Sequence, residues 1–202
     1  MMDICCKLGE EFVSEKNVLF RSDNFFVVPA LGQMGIEGYV LLCSQEHFCG
    51  IGMVPAQYET ELEAVLERSR AVLLEQYHSE VLIFEHGPRL GCHKGGGCLE
   101  HAHLHVVPSA VDVMDFLNKK FVIEQIDSFE RLREISYEKK FSYLFVEAQD
   151  QKRYCIEIDV PIASQYLRQI IASKRGVLQW DWRSYPDHAT FEKTRQYLLG
   201  KF

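Results

Sequence analysis

Apolar residues in this chain follow two rhythms, and the changes between them mark out most of its elements. From Val18 to Val28, Phe and Val residues flank the polar Arg21-Ser22-Asp23-Asn24, which predicts a hairpin of two strands. Gly32, Gly35 and Gly38 punctuate a loop. The short apolar run from Tyr39 to Cys43 then suits a buried strand. After Pro55 the period lengthens. Tyr58, Leu62, Val65, Leu66, Val72, Leu73 and Tyr77 recur at helical spacing, with Glu59, Glu61, Glu63, Glu67 and Glu75 on what reads as a solvated face. Strands are predicted again from Val81 to Glu85 and from Leu99 to Val107.

Beyond Asp112 the same two rhythms return. Phe121 to Ile126 reads as a strand and Ser128 to Ile135 as a short helix. Phe141 to Ala148 and Arg153 to Val160 read as strands joined by the polar turn Gln149-Asp150-Gln151-Lys152. Ile162 to Ser173 has helical spacing with Gly176 as its stop, and a last helix runs from about His188 to Leu199. No linker composition, repeat or low-complexity tract separates these parts. The expected fold class is α+β: an antiparallel sheet of about five strands with one long helix over residues 1–111, and a C-terminal α/β extension over 112–202 packed on it. That extension reads equally as a substrate cap or as plain cover for the sheet.

The strand from Leu99 carries the chemistry. In His101-Ala102-His103-Leu104-His105-Val106-Val107-Pro108, alternation places three imidazoles on one face and Ala102, Leu104 and Val106 on the other. Imidazole titrates near neutral pH, so such a row can supply a nucleophile and a proton donor together. Just upstream lie Gly87-Pro88, Gly91 and Gly95-Gly96-Gly97. Successive glycines let the backbone approach a ligand closely and cradle a phosphate with free N–H groups.

Composition narrows the partners. The formal charge of −7 over 202 residues comes with no stripe of Lys and Arg, which argues against general nucleic-acid binding. A hydrophobic content of 47%, with 13 Phe and 9 Tyr, is enough for a sizeable core. No apolar stretch reaches membrane-spanning length, and the opening residues are not a signal peptide. Seven cysteines without disulfide-style spacing suit a reducing cytoplasm, with Cys43 and Cys155 as buried small hydrophobes.

Glu85-His86-Gly87-Pro88, the glycine loop and the alternating histidines through Pro108 together resemble the histidine triad superfamily of nucleotide hydrolases and nucleotidyltransferases. Asp3-Ile4-Cys5-Cys6-Lys7-Leu8 is similar to that family's cysteine-containing opening. The stretch from Gly38 to His47 is similar to its strand ending in a basic position. The resemblance covers about the first 110 residues. It implies that His103 is the nucleophile, with its second ring nitrogen held by a main-chain carbonyl, commonly that of the first triad position. It gives His105 a phosphate oxygen or the leaving group, and makes His101 the flanking member that orients the site. Backbone amides of Gly96, Gly97 and Cys98 would meet the transition-state charge. Cys98 stands where relatives carry Ser or Thr, and Glu85 where they carry a phosphate-side Asn or Gln. A ribose-binding carboxylate is missing from Val28-Pro29-Ala30-Leu31-Gly32, so Phe25, Val27 and Leu31 are left to face a base or to pack in the core.

Histidine rather than glutamine at position 105 favours, by the same resemblance, hydrolysis of nucleoside phosphoramidates or dinucleoside polyphosphates through a nucleotidyl-histidine. The alternatives are a nucleotidyltransferase or phosphorylase on the same scaffold, a non-catalytic nucleotide-binding protein, and a metalloenzyme using H-x-H as ligands. No cofactor is required. A structural zinc is a candidate, its ligands mapping by resemblance to Cys6, His47, His101 and Asp3. A weaker candidate set is His86, Cys92, His93 and Cys98. A homodimer formed through the helix and a sheet edge is the expected assembly.

Overall fold

The long apolar runs become strands buried on both faces. In the computed structural model, which describes residues 14–87, 101–139 and 142–202, every residue of Phe25–Pro29 (β2), Val40–Ser44 (β3), Val81–Gly87 (β4), His103–Pro108 (β5) and Ser142–Glu147 (β7) is buried. Phe20–Arg21 (β1), Ile123–Ile126 (β6) and Arg153–Ile158 (β8) complete the set. Five helices accompany them among the described residues: Glu59–Tyr77 (α1), Met114–Leu117 (α2), Phe129–Lys139 (α3), Tyr166–Lys174 (α4) and His188–Leu198 (α5). The α+β class holds.

The sheet is larger than expected. It has eight strands in the order β1-β2-β3-β5-β4-β7-β8-β6, all pairs antiparallel, rather than about five. The extra strands come from beyond residue 112. β7 pairs with β4 from Ile83↔Glu147 to Gly87↔Tyr143, so the C-terminal residues continue the sheet as well as cover it. The strand beside the triad strand is therefore interior, and β1 and β6 form the ends of the sheet.

Two apolar layers sandwich the sheet. Below it, Leu62, Leu66 and Leu73 of α1 and Leu132 and Ile135 of α3 pack with Val27, Leu42, Ile83, Leu104 and Phe145. Above it, Leu167, Ile170 and Ile171 of α4 pack with Phe26, Leu41, Phe84, Leu144 and Ile156. Each such Leu, Ile or Phe contributes about 1.5–3 kcal/mol on full burial. Cover on both sides explains why Val40-Leu41-Leu42-Cys43 is apolar without alternation.

The acidic face of α1 is not merely solvated. Glu59 pairs with Arg133 at 2.8 Å, Glu63 with Arg153 at 2.5 Å, and Glu61 accepts from Asn24 and Ser22. These carboxylates stitch the helix to the first hairpin and to the C-terminal elements. Cys43 and Cys155 are buried, whereas Cys49 is disulfide-bonded, a linkage not anticipated from spacing. Among the described residues no helix is long and apolar enough to cross a membrane.

Candidate functional site

The parity of β5 sets the site. Ala102, Leu104 and Val106 lie in the lower core, which turns His101, His103 and His105 upward together. Each of the three is only 4% exposed. β5 itself begins at His103, and His101 sits just before it, its Nε2 donating to the Ser44 carbonyl at 2.6 Å.

The hydrogen bonds fix the tautomers. His103 Nδ1 lies 2.7 Å from the His101 carbonyl, which can only accept. Nδ1 therefore carries the proton and Nε2 presents a bare lone pair. That lone pair faces His105 Nε2 at 3.2 Å, so His105 must bear its proton on Nε2. His105 Nδ1 in turn meets the Tyr39 hydroxyl at 2.6 Å. Arg168 Nη1, a donor only, reaches the same hydroxyl at 3.0 Å. With His105 neutral, Tyr39 accepts from Arg168 and donates to His105 Nδ1.

Burial keeps these rings uncharged. It pulls His103 down to about 4 and His86 down to about 3, and it holds His105 well below the ordinary imidazole range. His101 is lowered by burial as well. The Arg168 guanidinium adds to the effect on His105 and His86. Phe84 stacks on His105, ring centres 4.5 Å apart, which removes water from that face. His86 joins the same side of the sheet, accepting the Leu167 N–H at 3.2 Å.

Glu85 is not brought to the triad face. It points down, between Ile83 and Gly87 in the alternation, and is 1% exposed. Its carboxyl accepts from the Ile51 N–H at 2.8 Å and from the Tyr143 hydroxyl at 2.7 Å, and it also takes the backbone N–H of His103. Burial raises it to about 7, against these hydrogen bonds. Its position corrects the phosphate-side role expected for it: Glu85 supports the triad strand from beneath, through the backbone. At Gly87 the Tyr143 ring occupies the space where a side chain would stand.

The other expected residues divide in two. His47 lies beside His101, ring centres 5.6 Å apart. Cys6 and Asp3, the remaining candidate zinc ligands, fall outside the described residues, as do Gly96, Gly97, Cys98, Cys92 and His93. A metal at His101 Nε2 would have to displace the bond to Ser44. Among the described residues no group of three or more His, Cys, Asp or Glu is placed to hold a metal ion. Phe25 and Val27 belong to the lower core, away from the triad. Gly32, in the stretch without a ribose carboxylate, is backed by Trp182 and by Arg168 Nη2, which would stand 2.6 Å from a β-carbon there.

Two residues at the centre of this arrangement carried no signal in the sequence. Tyr39 read as the first residue of an apolar strand, and Arg168 as one position of an amphipathic helix. Arg168 is 2% exposed. Its Nε donates to the Trp180 carbonyl at 3.0 Å, and its buried Nη2 has no hydrogen-bond partner among the described residues. An unmet donor of this kind costs about 1–3 kcal/mol or more.

No family model matches the chain, and no curated protein matches it. Solved structures do. A Hit-like protein involved in cell-cycle regulation from Bartonella henselae aligns over 48% of this chain and 69% of its own, at 7% identity and a TM-score of 0.39. A hypothetical histidine triad nucleotide-binding protein from Sulfolobus tokodaii aligns over 60% of this chain and 81% of its own, at 15% identity and a TM-score of 0.40.

Proposed function

We propose that this protein is a histidine-triad hydrolase that cleaves nucleoside phosphoramidates or dinucleoside polyphosphates through a covalent nucleotidyl-histidine. The observation that carries the reading is the bare Nε2 of His103, made so by the 2.7 Å bond from its Nδ1 to the His101 carbonyl. A buried, neutral imidazole with an oriented lone pair needs no deprotonation before attack. His103 Nε2 bonds to phosphorus as the bond to the leaving nitrogen or oxygen breaks. The leaving atom takes the proton from His105 Nε2. Water then attacks phosphorus, the bond to His103 breaks, and the proton released by water restores His105. The choice of hydrolysis over transfer rests on histidine at position 105 and on the family resemblance.

His103→Ala tests this. It should lower turnover of a nucleoside phosphoramidate by about four orders of magnitude or more, as loss of a nucleophile does. Far-UV circular dichroism and nucleotide binding should stay near those of the unmutated protein. His101→Ala should cost much less, since it leaves the covalent step in place. Near-normal turnover by His103→Ala in a clean preparation would reject the covalent mechanism. Tight nucleotide binding without turnover by the unmutated protein would favour a non-catalytic binding protein instead.

A further inference from the structure

The proton that leaves His105 has to be replaced from behind. His105 is neutral, wedged between the Phe84 ring and Tyr39, and among the described residues no carboxylate hydrogen-bonds to it. Giving up its Nε2 proton alone would leave an imidazolate in a dry site. Yet its Nδ1 already accepts a hydrogen bond of 2.6 Å from Tyr39. The Tyr39 oxygen in turn lies 3.0 Å from a buried guanidinium nitrogen of Arg168, whose carbon stands 5.4 Å from the centre of the Tyr39 ring. Arg168 is held by the Trp180 carbonyl and this hydroxyl, and it forms no ion pair with a carboxylate among the described residues. A buried cation without a carboxylate partner among the described residues stands beside a phenolic hydroxyl.

We propose that Tyr39, positioned by Arg168 from helix α4, supplies the leaving group's proton by relay through His105. The inference rests on the histidine-nucleophile reading above. As the bond from phosphorus to the leaving atom breaks, that atom takes the His105 Nε2 proton. The Tyr39 hydroxyl proton moves to His105 Nδ1, and a phenolate forms against the Arg168 guanidinium. His105 remains neutral throughout, its two nitrogens exchanging roles. When water cleaves the nucleotidyl-histidine, a water proton goes to His105 Nε2 and the Nδ1 proton returns to Tyr39. The cation that lacks a carboxylate partner is matched by an anion that exists only during turnover. Tyr39 and Arg168 act through His105 and are positioning residues. The C-terminal residues that close over the triad thereby become part of its acid.

The test is the dependence on leaving group. For each of the common nucleosides, the 5′-alkylphosphoramidate and the 5′-(p-nitrophenyl) phosphate are compared in the unmutated protein and in Tyr39→Phe, Arg168→Met and the double variant. An alkylamine needs a proton to leave, and p-nitrophenolate does not. Tyr39→Phe should lose about a hundredfold in kcat on the phosphoramidate, a usual size for acid catalysis, and far less on the nitrophenyl ester. Arg168→Met should show the same selective loss, and the double variant should be no worse than either single one. Equal losses on both substrates would mean that the two residues only hold the fold, and the relay would be wrong. Should either variant fail to fold, the proton inventory of the unmutated protein in mixed H2O and D2O decides. Two protons in flight on the phosphoramidate support the relay and one contradicts it. Cleavage of none of these substrates by the unmutated protein overturns the underlying reading and the relay with it. Cleavage without leaving-group selectivity overturns the relay alone.

Discussion

Arg168 is buried and Arg153 largely so, on opposite sides of one sheet, and they are treated in opposite ways. Arg153 lies beneath, between Glu147 at 2.8 Å and Glu63 at 2.5 Å, and Arg70 also pairs with Glu147. Arg168 lies above and meets a carbonyl and a hydroxyl, and its Nη2 has no hydrogen-bond partner among the described residues. The first arrangement closes its charges and ties α1 to β7 and β8. The second leaves a cation with no carboxylate partner among the described residues, close to His105 and His86. A fold that needed only stability would place a carboxylate beside Arg168 or an apolar side chain at 168, since a buried charge is rarely worth its desolvation. On the proposed mechanism, the difference separates a structural network from a functional one.

Stability measurements give the largest expected contrast. Glu147→Ala would take the shared carboxylate from two guanidinium groups, leaving Arg153 with Glu63 and Arg70 with Glu67, and its cost should be about 2–3 kcal/mol in urea unfolding. Arg168→Met removes a charge that no carboxylate among the described residues balances, so its effect should stay within about 1 kcal/mol or be stabilising. A cost for Arg168→Met as large as that for Glu147→Ala would erase the distinction and make Arg168 another structural cation.

A smaller contrast should show in pH. The histidines above the sheet are depressed, His103 to about 4 and His86 to about 3 from 6.5, so the unfolded chain binds more protons than the native one in that window. Their contribution is present above pH 6.5 and fades as the pH falls toward 4. Glu85 below the sheet is raised from 4.5 to about 7, and its contribution runs the other way, lost as the pH rises through 7. With several depressed histidines against one carboxyl, the urea midpoint should climb from pH 4 to 6.5. Glu85→Gln should make the climb steeper. A midpoint that falls across this window would contradict the neutral, buried state of the imidazoles.

Much of the scaffold was legible because periodicity is local. The alternation around His103 placed three imidazoles on one face with no knowledge of neighbouring strands. The spacing from Tyr58 to Tyr77 marked α1. What the pattern could not carry is pairing. Nothing within Ser142–Glu147 says that it will lie against β4, so the sheet came out eight strands wide instead of about five. The same blindness misplaced Glu85. In Phe84-Glu85-His86, the register with β5 decides which side chains share the triad face, and a slip of one residue exchanges them. Phe84 pairs with His105, so Glu85 turns away and His86 turns in. Arg168 reaches Tyr39 across 129 positions of sequence, a contact that neither helix periodicity nor strand alternation encodes.

The central claim is that His103 forms a covalent bond to phosphorus, and the most direct test is to catch it. The protein is mixed with a nucleoside 5′-phosphoramidate, quenched within the first turnover, and digested under conditions that preserve phosphoramidate bonds. Mass spectrometry should find a nucleotidyl group on His103, rising and decaying at rates that account for turnover, and absent from His103→Ala. Steady hydrolysis with no adduct on His103 at any time, or an adduct on another residue that keeps pace with turnover, would contradict the account.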